Sequence, residues 1–191
     1  MTYLPRELRL KFDEFSNQSL ISIYKDCPDR LRKSLQGLTE LELTARPRGE
    51  QTWTIYDIVC HLADSESIGY TRVQKVYLQD TTETISNYPR LALYNQDLWA
   101  HDAPYHLDVS FLEKKLTLFQ VLRDNLSLLF HQFTEDDWTK KGNHLEYGLI
   151  NLRFLLELYT NHGELHLQQI LNIRDLLGKP LEMEEVLPVL L

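Results

Sequence analysis

The chain has 191 residues, enough for one domain with a sizeable core, and its formal net charge is −8. No block of lysine and arginine interrupts the acidic background, so we expect no nucleic-acid partner. Leucine occurs 37 times against 16 for isoleucine and valine together, and glycine and proline occur seven times each, which favours an all-α protein over a β-sandwich or a Rossmann fold.

The first long helix is predicted over about residues 17–38. It contains Pro28, which we expect to kink the helix or to restart it near Asp26. Thr39 and Glu42 match a capping box, which predicts one short helical turn after the long helix.

Three further long helices follow. The second is predicted to begin at the N-cap residue Thr54, and the third at Ser110, where Ser110 and Glu113 match another capping box. The fourth is predicted over about residues 148–177, before Gly178. Four amphipathic helices of this length predict a four-helix bundle, a single domain over residues 1–191 with no sheet of three or more strands.

The connection between the second and third helices, over about residues 80–109, is long enough at ~3.3 Å per residue to run the full length of a bundle. We therefore predict that these two helices are parallel and joined by a crossover. The aromatic and histidine residues of this connection either cap a pocket or pack the crossover onto the bundle; they are Tyr88, Tyr94, Trp99, His101, Tyr105 and His106.

The most specific motif is the pair His162 and His166 in the fourth helix. Residues four apart lie about 40° apart around a helix, so both imidazoles project from its leucine-rich face. There, each ring needs a partner: one metal ion satisfies both, or each is a core histidine bonded to backbone or to another side chain. Glu164 lies about 200° around the helix from His162, so it is not placed as the general base of a zincin HExxH motif.

A third imidazole is available on the second helix. His61 lies on the flank of its apolar stripe, and one end of a bundle can bring it to His162 and His166. Three histidines with open positions are typical of a reactive rather than a structural metal site. The other histidines are weaker candidates: His101 and His106 in the crossover, His131 off the stripe of the third helix, and His144 in a predicted loop, where it overhangs the pocket or faces water.

Glu66 falls on the apolar stripe of the second helix. A carboxylate there is either one half of an ion pair between helices or part of a pocket, and we favour the ion pair. Asp64 is a candidate outer-shell partner of a metal ligand. Tyr159, one turn before His162, is a candidate pocket residue.

Two parts of the sequence resemble the DinB/YfiT-like family. WTIYDIVCHLADSE at 53–66 resembles its second helix, and GNHLEYG at 142–148 followed by LLELYTNHGELHLQQI at 155–170 resembles its last. The resemblance implies a four-helix bundle with a long crossover and a divalent metal ion bound by His61, His162 and His166.

Members of that family are described as metal-dependent hydrolases, some resemble thiol S-transferases, and many are dimers. The resemblance thus implies a homodimeric enzyme that acts on a small molecule at the metal. A non-catalytic metal-binding or stress-response protein is the alternative, which a fourth protein ligand would favour. Three imidazoles accept zinc, nickel, iron or manganese, so the sequence does not identify the metal. It does not identify a general base either.

No apolar run approaches the ~18 residues of a membrane span, and the N-terminus lacks the pattern of a signal peptide. Cys27 and Cys60 do not form a disulfide framework in a chain of this length. We therefore expect a cytoplasmic protein with no membrane partner.

Overall fold

The structure is a computed structural model that describes residues 14–46, 53–78, 88–96, 98–99 and 108–181. In chain order, its helices are α1 (Asn17–Leu35), α2 (Glu40–Leu43), α3 (Ile55–Leu78), α4 (Leu112–Phe130), α5 (Glu135–Thr139) and α6 (Leu152–Leu176). The strands are β1 (Arg90–Leu91), β2 (Lys141–His144) and β3 (Gly148–Asn151). None of the described helices is both long enough and apolar enough to cross a membrane.

Helices α3 and α4 run in the same direction. Near the start of both helices, the Tyr56 hydroxyl donates to the Asp108 carbonyl at 2.7 Å. Further along both, Arg123 Nε donates to a Glu66 carboxylate oxygen at 3.0 Å. Because one contact joins the starts of the two helices and the other joins later positions of both, the helices are parallel. The predicted crossover is therefore confirmed.

Helices α1 and α6 form a second parallel pair. Arg153 at the start of α6 donates to Asn17 at the start of α1, and Arg174 near the end of α6 donates to the Ser34 carbonyl near the end of α1. The two pairs pack against each other in opposite directions and enclose the core. All four long helices thus form the predicted bundle.

The apolar core has two parts, one at each end of the bundle. On α4, Phe119 belongs to the part that also holds Trp53 and Leu167, whereas Leu126 belongs to the part that holds Tyr159. The buried ion pair of Arg123 with Glu66 lies between these two parts and, as favoured from the sequence, joins two helices.

A small three-stranded sheet in the order β1-β2-β3 stands beside the bundle, so the expectation that no such sheet exists is wrong. β2 pairs antiparallel with β3 through Gly142 and Ile150, and it pairs parallel with β1. Gly148 has a φ of 71°, a conformation that glycine adopts at little cost, and it closes the turn between β2 and β3. Residues 148–151 are therefore strand rather than the start of the fourth helix, and α6 begins at Leu152.

The course of α1 also differs from the prediction. α1 continues through Pro28 and ends at Leu35, so the expected restart near Asp26 does not occur. A proline lacks the N–H that would bond to the carbonyl four residues earlier, here that of Tyr24. Arg123 Nη1 donates to this carbonyl at 3.0 Å instead, so the acceptor that Pro28 leaves free inside the bundle is satisfied.

The predicted N-caps have mixed outcomes. The capping box of Thr39 with Glu42 is confirmed. The predicted box at Ser110 is wrong, because α4 begins only at Leu112 after a short 3-10 turn, and the side chain of Asp108 accepts from the Ser110 N–H instead. An aspartate two residues earlier thus outcompetes Ser110 as the cap.

Candidate metal centre

The start of α3 positions its histidine. Thr54 Oγ1 accepts from the Asp57 N–H at 3.0 Å, and Asp57 Oδ2 accepts from the Thr54 N–H at 2.8 Å, which forms a capping box and confirms Thr54 as the N-cap. His61 follows in the second turn and is 2% exposed. The ring of Trp53 lies 4.7 Å from its ring, centroid to centroid, and restricts its rotation.

The structure brings His61, His162 and His166 together. Nε2 of His162 lies 2.9 Å from Nε2 of His61 and 3.2 Å from Nε2 of His166. The three candidate ligand atoms all lie within 4.8 Å of one another. The two histidines of α6 and the one of α3 meet because these helices are antiparallel neighbours.

The protonation state of this cluster suits a cation. His166 Nδ1 lies 2.8 Å from Gln169 Oε1, and since that oxygen only accepts, Nδ1 carries the proton and the Nε2 lone pair faces the cluster. Nitrogen atoms that face one another at these distances need a shared proton or cation. Two imidazoles on a tetrahedral zinc ion, each at ~2.0–2.1 Å, hold their nitrogens about 3.3 Å apart, so the two spacings that His162 makes are close to those around an ion.

Burial keeps all three imidazoles neutral at neutral pH. It lowers the pKa of His61 and of His162 well below 6.5, and the neighbouring histidines lower both further. Burial also lowers the pKa of His166 to about 4, although the Gln169 bond opposes this shift. Neutral imidazole is the form that binds a metal ion, so protons do not compete for this cluster near pH 7.

The other residues singled out in the sequence lie elsewhere. His131 is exposed after α4, and His144 is buried in β2 rather than in a loop. Asp64 pairs with Lys115 of α4 at 2.5 Å and is not in the histidine cluster. His101 and His106 lie outside the described residues.

Two residues that hold the cluster in place were not predicted from the sequence. Gln169 orients His166, and it lies three residues further along the same helix face, a spacing that identifies it in retrospect. Trp53 precedes α3, and its ring stacks on His166 with centroids 6.0 Å apart. Its position before the helix start carries no such periodic signal.

A second polar cluster lies along α3, beyond His61. Arg72 Nη1 donates to the Tyr159 hydroxyl at 2.9 Å, and Nη2 donates to the Ala92 carbonyl at 2.6 Å. The ring of Tyr159 lies so close to Gly69 that a Cβ there would stand 2.6 Å from it. Tyr159, a predicted pocket residue, is therefore buried between α3 and α6.

His144 gives a pH-dependent prediction. Burial, and then the charge of Arg72, lower its pKa from 6.5 to about 4. Between these values the unfolded chain takes up a proton at this residue and the folded chain does not, so stability present above pH 6.5 is lost as the pH falls towards 4. We expect the free energy of unfolding of His144→Asn to fall less steeply as the pH decreases, because unfolding of the variant takes up as much as one proton less.

The measurement is urea unfolding of chelator-treated protein across this pH range. The other buried histidines contribute equally to both proteins, so the difference in slope isolates His144. Equal slopes for the wild type and His144→Asn would contradict the assignment of a neutral, buried imidazole.

Fold and site together define a four-helix bundle with a cluster of three histidines at one end, of which His61 and His166 are buried and His162 is half-buried. The sequence profile of the DinB superfamily matches residues 23–170, and the chain belongs to this superfamily. The family resemblance noted in the sequence is confirmed.

Two curated relatives carry the name "Putative metal-dependent hydrolase". One, from Halalkalibacterium halodurans, is 26% identical over 143 residues, covering 75% of this chain and 77% of that protein. The other, from Bacillus cereus, is 28% identical over 152 residues, covering 78% and 80%.

Two solved structures share the fold. YfiT from Bacillus subtilis, described as "a probable metal-dependent hydrolase with an unusual four-helix bundle topology", has a TM-score of 0.75 at 22% identity, covering 92% of this chain and 94% of that one. A mycothiol-dependent maleylpyruvate isomerase has a TM-score of 0.61 at 10% identity, covering 84% and 63%.

Proposed function

We propose that the chain binds one divalent metal ion through His61, His162 and His166 and uses it to hydrolyse a small molecule. The observation that carries this proposal is the mutual approach of three imidazole nitrogens from two helices, two of them on buried histidines and one on a half-buried histidine. The name that the relatives carry, "Putative metal-dependent hydrolase", supports the same activity.

The ion would supply Lewis acidity, which favours ionisation of a water or thiol and polarises an electrophilic carbonyl. The chain would contribute three neutral ligands, which would leave the full charge of the ion in place. Gln169 fixes the tautomer of His166, and Trp53 shields the cluster from one side. No residue is assigned as a general base.

The same site supports a thiol S-transferase as a second candidate, in which the nucleophile is a thiol rather than water. The specific observation is the fold shared with a mycothiol-dependent maleylpyruvate isomerase, whose name specifies a thiol cofactor. The two candidates use the metal in the same way and differ in the nucleophile, so one assay can separate them.

A non-catalytic metal-binding or stress-response protein remains the rival class. Among the described residues the cluster contains three histidines and no fourth His, Cys, Asp or Glu. A site with three protein ligands leaves a position for substrate, which supports the catalytic proposal. The predicted homodimer, the cytoplasmic location and the absence of a nucleic-acid partner stay predictions.

The test starts with elemental analysis of protein purified without a histidine tag or added metal. Small esters, amides and thiol-conjugation substrates are then assayed with that metal restored and after chelation. We expect turnover of at least one class, its loss on chelation, and a decrease of about a hundredfold or more in His61→Ala, because this variant loses a metal ligand.

The matched control is His131→Ala, which removes an exposed imidazole and is expected to keep wild-type turnover. Turnover only with a thiol would identify the transferase. A metal-loaded wild type with no turnover above His61→Ala across all substrates would contradict catalysis and favour the metal-binding protein.

A further inference from the structure

Arg72 is a buried cation that has no carboxylate partner among the described residues. It is 8% exposed, and its two bonds within the described part of the chain go to the Tyr159 hydroxyl and the Ala92 carbonyl, both uncharged. By contrast, Arg123 pairs with Glu66. Burying a charge without a charged partner costs free energy, so an arginine at such a position indicates a function other than stabilising the fold.

Arg174, a second arginine that is buried without a carboxylate in the described part of the chain, shows how such a charge is otherwise satisfied. It donates to the backbone carbonyls of Ser34, Gln36 and Lys179 at the carboxyl ends of α1 and α6. Those helix ends carry partial negative charge, which compensates the guanidinium. Arg72 lies in the interior of α3 and has no such compensation.

Arg72 and two neighbours offer hydrogen-bond donors that find no acceptor in the described structure. Arg72 Nε is buried without a partner, and so is Nε2 of His144. Nδ1 of His144 accepts from the N–H groups of Glu146 and Tyr147, so Nε2 carries the proton. The Tyr159 hydroxyl accepts from Arg72, and its own hydrogen has no acceptor.

These three groups are near one another. The Tyr159 oxygen lies 2.9 Å from Arg72 Nη1. Arg72 also holds the carbonyl of Ala92, and the preceding residue, Leu91, is the β-partner of His144. The β-sheet, which the sequence did not predict, is therefore what brings His144 to α3.

We propose that Arg72, His144 and Tyr159 bind a carboxylate group of the substrate. A carboxylate accepts several hydrogen bonds and also supplies a negative charge to pair with the guanidinium of Arg72. A neutral ligand supplies only hydrogen-bond acceptors. This inference rests on the proposed function, because it makes this cluster the recognition site for a molecule that reacts at the histidines.

The position of the cluster on α3 defines the shape of that substrate. Arg72 follows His61 by eleven residues, which places the two about 16 Å apart along the axis and within about 20° of the same helix face. The substrate class is thus an extended small acid, with its carboxylate several atoms from the group that reacts.

The first experiment measures binding of succinate, and of its uncharged diamide, to the full chain by calorimetry, in chelator-treated and metal-loaded forms. Chelator-treated protein is essential because carboxylates also bind metal ions. We expect succinate to bind the chelator-treated wild type about tenfold or more tightly than the diamide. Equal binding of the two, or no binding of succinate, would overturn the proposal, since the donors then bind only water.

Two variants locate the binding. Arg72→Gln removes the charge, and Tyr159→Phe keeps the ring on Gly69 while removing the hydroxyl; each is expected to weaken succinate binding, Arg72→Gln by about tenfold or more. The control Arg32→Gln makes the same charge change at a partly exposed ion pair and is expected to bind as the wild type does. If Arg72→Gln does not fold, Tyr159→Phe decides; unchanged affinity in a folded variant overturns the assignment.

A second measurement connects the cluster to the metal. The metal-loaded wild type is expected to hydrolyse mono-4-nitrophenyl suberate with a kcat/KM about tenfold or more above that for 4-nitrophenyl octanoate, and Arg72→Gln to lose this preference while keeping its metal. Turnover without any preference would overturn the carboxylate site and leave the hydrolase intact. Succinate binding with no turnover of either ester would instead count against the hydrolase alone.

Discussion

His162→Ala is expected to lose stoichiometric metal. Its Nε2 lies between those of His61 and His166, at 2.9 and 3.2 Å, so the substitution removes the central ligand of the three. Two remaining histidines hold a divalent ion far more weakly than three, and we expect the affinity to fall by about a hundredfold or more. The measurement is metal content by elemental analysis after dialysis, together with titration of chelator-treated protein.

The same variant separates a metal role from a structural one. Without an ion, the three facing nitrogens contribute little to the fold, so the thermal unfolding of chelator-treated His162→Ala is expected to be close to that of chelator-treated wild type. With metal present, only the wild type is expected to gain stability, because an ion that binds the folded state alone stabilises it. The exposed His131→Ala serves as control and keeps its metal.

Three outcomes bear on this assignment. Loss of metal in His162→Ala, and equally in His166→Ala and His61→Ala, supports the three-histidine site. Wild-type metal content in any one of these variants would remove that residue from the ligand set. Unfolding of the chelator-treated variant would show that these rings are core histidines, the alternative left open by the sequence.

The histidine cluster could be predicted because its signal is periodic. His162 and His166 share a helix face by their spacing alone, and the leucines around them show that this face is buried. The bundle then limits where a third imidazole can come from, and His61 is in the facing helix. The parallel arrangement of α3 and α4 could also be predicted, because the connection between them is long enough to run the full length of the bundle.

The features that were not predicted depend on contacts between residues distant in the chain. The pairing of β1 with β2 joins segments about 50 residues apart, and no local pattern in two-residue β1 indicates it. For the same reason the sequence placed His144 in a loop. From the sequence, Arg72 is an ordinary helical arginine; only the fold shows that it is buried and has no acidic partner among the residues that the structure describes.

Arg123 is a further residue whose importance only the fold reveals, and its replacement gives the second large expected effect. The side chain is fully buried and bonded to Glu66, and it donates to the backbone carbonyls of Tyr24 and Tyr159. We expect Arg123→Met to reduce the free energy of unfolding by about 3–5 kcal/mol, because it leaves a buried carboxylate without its cation. Urea unfolding followed by circular dichroism at pH 7 measures this.

The magnitude follows from what the substitution leaves behind. Among the described residues, Glu66 keeps the hydroxyl of Tyr24 as its one partner. The Tyr24 carbonyl, which Pro28 already deprives of its helical N–H, loses its donor. Each unsatisfied buried group adds to the cost of the lost ion pair. The double variant Glu66→Met with Arg123→Met removes both charges, so we expect it to recover much of the lost stability.

An exposed ion pair supplies the comparison. Arg32 of α1 contacts Glu113 of α4 at 2.8 Å, with exposed fractions of 30% and 70% for the two side chains. We expect Arg32→Met to change stability by no more than about 1 kcal/mol, because solvent screens this pair. If Arg123→Met is no more destabilising than Arg32→Met, or if the double variant is less stable than Arg123→Met alone, the ion pair does not have the role assigned to it.

A folded Arg123→Met should also bind metal more weakly, because Arg123 holds the Tyr159 carbonyl in the turn of α6 that precedes His162.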